Sequence, residues 1–202
     1  MKAQYETPKA ANISDAIKLM QISNIAIITG AVVSAESGVF VYKDNEETVD
    51  LCGNQLKIQE LMNIDILESN PIEFWRYIQE TKKRIKSCDP FSAHTALSKI
   101  VLNSNSNVSL ITQNIDGFDK IELFNNPNFY EIHGNINEMR CTKHCTVYII
   151  ESPSLSCYLT NPPNCGYCAS FMRPNVLLYG ETYPEDFYRS NSPKSACLPQ
   201  TC

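Results

Sequence analysis

The 202-residue sequence has few of the residues that mark fibrous, secreted or membrane chains. Only 7 glycines and 11 prolines occur, which excludes a collagen-like or low-complexity chain. No stretch approaches about 18 consecutive apolar residues, so we expect no transmembrane helix. The N-terminal stretch MKAQYETPKAANISD has no apolar segment of the kind that a signal peptide needs. We therefore expect an intracellular protein, nuclear or cytoplasmic.

Positive charge is also scarce. The chain has 17 Lys and Arg against 22 Asp and Glu, a formal net charge of −5, and it contains no long basic block. Direct binding to nucleic acid is therefore not expected. The short run KKRIK at 82–86 is interpreted as the solvated face of a helix. Hydrophobic residues make up 43% of the chain, enough for the core of one medium domain with at most a small insertion.

Apolar runs alternate with helical patterns along the chain. Strands are predicted at 25–29 (IAIIT), 108–112 (VSLIT), 129–133 (FYEIH) and 175–179 (NVLLY). Helices are predicted at 13–20, 56–67, 71–84 and 91–102, and a polar loop at 43–54. This alternation predicts an α/β fold with a Rossmann-like parallel sheet.

Two helix starts carry recognisable sequence signals. Asn70 followed by Pro71 is a favourable N-cap and first-turn pair, and the helix after it should bury Phe74, Trp75 and Ile78 by their spacing. Ser92 is a candidate cap for the next helix.

Five of the nine cysteines fall between positions 141 and 168. The pairs in CTKHC (Cys141, Cys145) and CGYC (Cys165, Cys168) have the spacing of a four-thiolate zinc site. A short irregular segment buries too little apolar surface to fold without such a clamp, so a structural zinc ion in a small inserted module is favoured over free thiols. Cys157 and His144 are rival ligands.

Four segments occur in a fixed order along the chain: ITGA followed by Ser34, Ser37 and Gly38, then TQNIDG, then IHG ahead of the cysteine pairs, then RPNVLLYGE. PFSAHTAL at 90–97 precedes the second of them. Together these segments resemble the sirtuins, the NAD-dependent protein deacylases, over roughly residues 13–184. TQNID with a later HG at this spacing is specific to that family, whereas a lone glycine loop occurs in many nucleotide-binding proteins.

The resemblance implies a Rossmann-type domain with an inserted zinc module and NAD at the carboxyl ends of the strands. The expected division is an NAD-binding part at 1–138, a zinc-binding module at 139–172, a return strand and substrate-binding loop at 173–184, and a divergent tail at 185–202.

The implied reaction transfers an acyl group from lysine to ADP-ribose. The acyl-lysine carbonyl oxygen attacks the anomeric carbon of the nicotinamide ribose, and nicotinamide leaves. His133 matches the general base that deprotonates a ribose hydroxyl, and Asn114 is its expected catalytic companion. The expected partner is an acylated-lysine protein or peptide.

Further site residues follow from the resemblance. Gln113 and Asn114 match residues that hold the nicotinamide ribose, and Asp116 matches one that contacts the carboxamide. The expected substrate residues, which match a strand that pairs with the peptide backbone, are Leu177, Tyr179, Gly180 and Glu181. The expected cofactor residues are Gly30, Ala31, Ser34, Lys43, Gln113, Asn114 and Asp116.

The chain departs from the family pattern at several positions. Val32 replaces a glycine, Val41 an aspartate and Lys43 an arginine. A β-branched residue at position 32 costs about 1–2 kcal/mol if the backbone needs a positive φ there. After residue 184 no segment matches the family's Gly-Thr-Ser strand, which holds adenosine. We therefore expect a parallel sheet that is incomplete on its C-terminal side, with an apolar edge uncovered.

Other readings of these residues remain open. Asp116 can cap a turn, Asn114 can favour one, and His133 can be structural, as we interpret His94 to be. For the whole chain, the alternatives to a deacylase are a catalytically impaired sirtuin-like scaffold or protein-binding module, and a truncated product. A zinc-ribbon nucleic-acid binder is disfavoured by the charge.

Overall fold

The computed structural model describes residues 24–39, 48–51, 54–104, 108–145, 149–152 and 162–183, with the single positions 12, 14, 15 and 18. Its strands are β1 (Ile25–Thr29), β2 (Thr48–Leu51), β3 (Asn54–Lys57), β4 (Val108–Thr112), β5 (Phe129–Glu131), β6 (Gly134–Cys141), β7 (Ile150–Glu151) and β8 (Met172–Val176). Its helices are α1 (Ala31–Glu36), α2 (Ile58–Leu61), α3 (Ile64–Ser69), α4 (Pro71–Lys86), α5 (Ser92–Asn103) and α6 (Phe118–Leu123). None of these helices is long and apolar enough to cross a membrane.

A parallel sheet in the order β1-β4-β5 forms the Rossmann-like part of the fold. The strands predicted at 25–29 and 108–112 are confirmed to the residue. Along β4 the side chains alternate between buried and half-buried, as expected for a strand with one well-covered face. A cluster between this face and helices α5 and α6 contains Val101, Val108, Leu110, Leu123 and Phe129.

The second face and the outer edge of this sheet are much less covered. Within the described residues, β1 pairs only with β4. Ile28 on β1 is 66% exposed, and Val32 on the following helix is 62% exposed. Parallel sheets normally have both faces covered. Among the described residues, the outer edge of β1 is therefore unpaired, and the side chain of Ile28 is exposed beside it.

A second sheet, antiparallel and in the order β7-β6-β8, adjoins the first. Strand β6 pairs with β8, with a register irregularity between Asn135 and Met139. The prediction of a fourth parallel strand at 175–179 is wrong. The chain is extended and paired over Met172–Val176 instead, because it returns antiparallel along β6 and then turns.

Helix α4 packs against the second sheet. Asn70 caps it by accepting a hydrogen bond from the Glu73 N–H at 3.3 Å, and Pro71 occupies its first turn, as predicted. Phe74, Trp75 and Ile78 are buried as their spacing indicates. The indole Nε1 of Trp75 donates to the Met172 carbonyl at 3.0 Å, which ties the helix to β8.

Four other expectations on local structure need correction. The helix predicted at 56–67 is broken into α2 and α3 at Met62 and Asn63. The predicted loop at 43–54 contains strand β2. The strand predicted at 129–133 ends at Glu131. Ser92 is the first residue of α5, and the cap position is Phe91. Most of the helix predicted at 13–20 lies outside the described residues.

Candidate active site and metal centre

The carboxyl ends of the three parallel strands lie side by side. Thr29 is in register with Thr112, and Thr112 with Glu131. The Gln113 N–H continues the pairing by donating to the Thr29 carbonyl at 3.0 Å. Residues that follow each strand therefore emerge at one edge, which is where open α/β sheets bind ligands.

A cavity of about 450 Å³ opens at this edge. The sequence-predicted residues that line it are Ala31, Ser34, Gln113, Asn114, Asp116, His133, Leu177 and Tyr179. Apolar walls come from Ile85 on α4, Met62 at the α2–α3 break and Val39 after α1. The four segments that resemble the family thus meet at one cavity, which the sequence order alone did not require.

The imidazole of His133 is oriented by the backbone. Its Nδ1 lies 2.9 Å from the carbonyl oxygen of Gln113. A carbonyl can only accept a hydrogen bond, so Nδ1 carries the proton. In the neutral ring Nε2 is then unprotonated and can accept a proton, which is the tautomer a general base requires.

Asp116 is buried at the inner end of the cavity. Its Oδ2 accepts a hydrogen bond from Ser34 Oγ at 2.5 Å, and its Oδ1 accepts one from the Phe118 N–H at 2.9 Å. Burial raises the pKa of Asp116, and these two hydrogen bonds offset only part of the rise. The site therefore holds a carboxyl group that is protonated more readily than usual.

Asn114 brings an unsatisfied donor to the same cavity. The residue is 7% exposed, and within the described part of the chain its Nδ2 has no hydrogen-bond partner. A buried amide without a partner costs about 1–3 kcal/mol. An acceptor on a bound molecule would satisfy this group, so the residues present fit a polar ligand such as NAD.

The backbone at Val32 is helical. Val32 lies within helix α1, and it is not among the described non-glycine residues with positive φ. The condition for a backbone penalty at Val32 is therefore not met, because a helical residue needs no left-handed conformation. A Cβ at Gly30 would lie 3.3 Å from Gln113 Oε1, so a larger residue there would require the Gln113 side chain to shift by a few tenths of an ångström. Val41 and Lys43 lie outside the described residues.

A buried ion pair joins helices α5 and α6. His94 Nδ1 lies 2.7 Å from Asp119 Oδ1, and both side chains are 2% exposed. The His94 ring also packs edge-on against Phe118. His94 is structural, as interpreted, but its partner Asp119 was missed because the two lie on different helices.

The four predicted zinc ligands converge. The ligand atoms of Cys141, Cys145, Cys165 and Cys168 all lie within 4.8 Å of one another, and the closest Sγ pairs are 3.4–3.5 Å apart. Tetrahedral zinc with bonds of about 2.3 Å needs sulfur atoms somewhat under 4 Å apart, so the thiols fit the ion. All four positions are filled by protein, which is typical of a structural site.

The rival ligand His144 has a different role. Its Nε2 lies 2.5 Å from Nη1 of Arg140, so it is engaged away from the thiols. Burial and the charge of Arg140 lower the pKa of His144, which suits a neutral, accepting ring. Cys157 lies outside the described residues.

The predicted substrate segment Leu177–Glu181 is a turn beside the cavity. The Leu177 N–H donates to the His133 carbonyl at 2.9 Å, and the Tyr179 N–H donates to the Met62 carbonyl at 2.9 Å. The Ile64 N–H donates in turn to the Tyr179 carbonyl at 3.1 Å. These bonds explain the break between α2 and α3, because the segment pairs with the backbone there.

Comparison with known proteins assigns these features to one family. A model of the Sir2 family matches residues 30–197. An NAD-dependent protein deacylase from Thermococcus sibiricus is 31% identical over 179 residues, which cover 86% of this chain and 67% of the relative. A protein of the same description from Aquifex aeolicus is 31% identical over 170 residues, covering 83% and 66% of the two chains.

Solved structures show the same fold. A crystal structure of a Sir2 homolog–NAD complex superimposes with a TM-score of 0.70 at 27% identity, covering 86% of this chain and 64% of the other. A structure of Sir2 bound to acetylated peptide superimposes with a TM-score of 0.62 at 25% identity, covering 87% of this chain and 67% of the other. The chain thus spans about two thirds of the length of the relatives it matches. Because the family model matches well over half of its residues, the chain belongs to the Sir2 family, the sirtuins.

Proposed function

We propose that this chain carries the catalytic site of an NAD-dependent protein lysine deacylase, which transfers the acyl group to ADP-ribose and releases nicotinamide. One observation supports this most strongly. His133, in the tautomer of a general base, shares one cavity with Gln113, Asn114, Asp116 and the segment beginning at Leu177. Each of these lies in a segment that matches the family.

His133 acts as the general base. Its Nδ1–H is held by Gln113, so Nε2 is available to take a proton from a ribose hydroxyl. When bound, NAD supplies the electrophilic ribose carbon and the nicotinamide leaving group. The protein's part is to fix the ring, exclude water and receive the proton.

The buried polar groups orient the nicotinamide end. Asn114 offers its unpartnered Nδ2 to a ribose or carboxamide oxygen. Asp116, which the hydrogen bond from Ser34 fixes, would contact the carboxamide of bound NAD, and Gln113 would contact its ribose. Ala31 lines the cavity after β1, and we assign Gly30 and Lys43 to the cofactor by resemblance alone.

The acyl-lysine peptide lies along Leu177–Glu181. Its residues 177–179 form a wall of the cavity next to His133, so a peptide there places its lysine at the reacting centre. The domain division at 138 and 172 given above remains our proposal, as does an intracellular location, which cysteines arranged as metal ligands and not as disulfides favour.

A second function rests on the open sheet edge. Ile28 is 66% exposed, and one side of β1 is unpaired among the described residues, so this edge can bind another polypeptide strand as a scaffold would. The two functions differ in one assay. A deacylase releases nicotinamide only when NAD and an acetyl-lysine peptide are both present, whereas a scaffold binds the peptide and releases none.

A further inference from the structure

The Glu181 carboxylate points into the protein. Its Oε1 accepts a hydrogen bond from Nη1 of Arg173 at 2.6 Å, and its Oε2 accepts one from Nη2 at 2.8 Å, which makes the pair bidentate. Nη2 of Arg140 donates to the same Oε1 at 3.2 Å. The Glu181 side chain is only 12% exposed, so its carboxylate is largely withdrawn from a bound peptide.

The two arginines need this carboxylate. Arg140 on β6 is directly in register with Arg173 on β8, and their side chains are 0% and 3% exposed. Like charges opposite each other in neighbouring strands repel, and burial removes the water that would screen them. Burial raises the pKa of Glu181, but the hydrogen bonds and charge of Arg173, with the charge of Arg140, outweigh it and lower the pKa overall. The counter-charge is therefore present at neutral pH.

The same carboxylate fixes the cavity wall. Oε2 also accepts a hydrogen bond from the Leu178 N–H at 3.1 Å. The neighbouring amides of Leu177 and Tyr179 are held by His133 and Met62. Glu181 thus completes the set of contacts that fix the wall beside the general base.

The other end of the network reaches the metal centre. Arg140 precedes the ligand Cys141 in β6, and its Nη1 lies 2.5 Å from Nε2 of His144, which lies between the ligands Cys141 and Cys145. A continuous set of contacts therefore runs from the cysteine cluster through Arg140 and Glu181 to Leu178.

We infer that Glu181 is a positioning residue, which couples the cysteine cluster to the peptide-binding wall through Arg140 and Arg173 and does not contact substrate through its carboxylate. The inference rests on the proposed function for its effect on peptide binding. If the inference holds, the zinc module also helps to fix the peptide-binding wall, because it contains Arg140, one of the two arginines that bind Glu181.

Peptide binding by the full chain tests this role. We compare the wild type with Glu181→Gln and the milder Arg173→Lys, using fluorescence anisotropy of a labelled acetyl-lysine peptide. Misplacing the wall should weaken binding about tenfold in Glu181→Gln and less in Arg173→Lys, with the zinc content unchanged. The matched control is Glu138→Gln, which removes the ion pair between Glu138 on β6 and Lys120. Equal affinity in Glu181→Gln and wild type, or equal loss in the control, would overturn the inference.

Amide hydrogen exchange separates this inference from the proposed function. If the wild type binds no peptide, the proposed function fails, and the coupling is judged by exchange at the Leu178 N–H alone. That exchange should accelerate at least about tenfold in Glu181→Ala, and also in wild-type protein treated with a chelator. Exchange that does not respond to the substitution refutes the positioning role. Exchange that responds to the substitution but not to chelation refutes the link to the metal centre.

Discussion

Ser34 Oγ lies 2.5 Å from Asp116 Oδ2, and this hydrogen bond joins helix α1 to the loop after β4 across 82 positions of sequence. The residue pair therefore holds the inner end of the cavity in one arrangement.

Removing the Ser34 hydroxyl should destabilise the protein most at high pH. Asp116 has a raised pKa, so its neutral form stabilises the fold at low pH and that contribution is lost as pH rises through the folded pKa. Ser34→Ala leaves an ionised, buried carboxylate short of a donor, at a cost of about 1–3 kcal/mol. Urea unfolding at pH 8 should show this loss, and unfolding at pH 4 a smaller one. A uniform loss at both pH values would contradict the assignment.

The His94–Asp119 pair should make stability fall above neutral pH. Burial lowers the pKa of His94, but the hydrogen bond and charge of Asp119, with the charge of Asp116, raise it above 6.5 overall. The protonated pair thus stabilises the fold below pH 6.5, and that contribution is lost as pH rises through the higher folded pKa.

Thermal melting from pH 6 to pH 9 checks this dependence. In His94→Gln the melting temperature should vary less with pH than in the wild type. His133→Gln is the control, since His133 is half-buried and makes no ion pair within the described residues. The prediction fails if His94→Gln keeps the full pH dependence.

The cysteine cluster should hold about one zinc ion per chain. Cys165→Ser should release it and increase hydrogen exchange in β6 and β8, which flank the cluster. Cys88→Ser is the matched control, because Cys88 lies outside the cluster and its thiol donates to the Arg84 carbonyl at 3.3 Å. Elemental analysis of protein purified without chelator gives the ratio, and a metal-free product would contradict the site.

Val32→Gly tests the departure in the cofactor loop. Glycine within a helix costs about 1 kcal/mol of stability. If the Val32 side chain obstructs the pyrophosphate, the variant should nevertheless bind NAD more tightly by titration calorimetry. Val33→Gly has the same helix cost at the next position and should bind no better than wild type. Equal affinities for Val32→Gly and wild type would mean that this side chain is not the obstacle.

Local signals in the sequence predicted the parts of the fold that short segments determine. IAIIT and VSLIT are apolar runs between polar turns, so strands β1 and β4 were predicted with correct ends. The spacing of the two cysteine pairs likewise predicted that their four thiols lie together. Asn70 and Pro71 cap a helix through neighbours only three positions away.

Features that depend on distant contacts were missed. The run LLY at 177–179 is apolar because it lines a cavity and not because it is a strand. The break at Met62 follows from pairing with Tyr179, more than 100 residues later. The pairing of Arg140 and Arg173 with Glu181 depends on the register of β6 and β8, which no local pattern encodes.

The most direct test of the central claim is nicotinamide release by the full chain, measured with NAD and an acetyl-lysine peptide together and with each alone. The account predicts release only when both are present, and a loss of about 100-fold or more in His133→Ala, the usual scale for a positioned general base. Peptide affinity should survive that substitution, because the peptide lies along Leu177–Glu181. Release that occurs without peptide, or that His133→Ala leaves unchanged, would contradict the proposed mechanism.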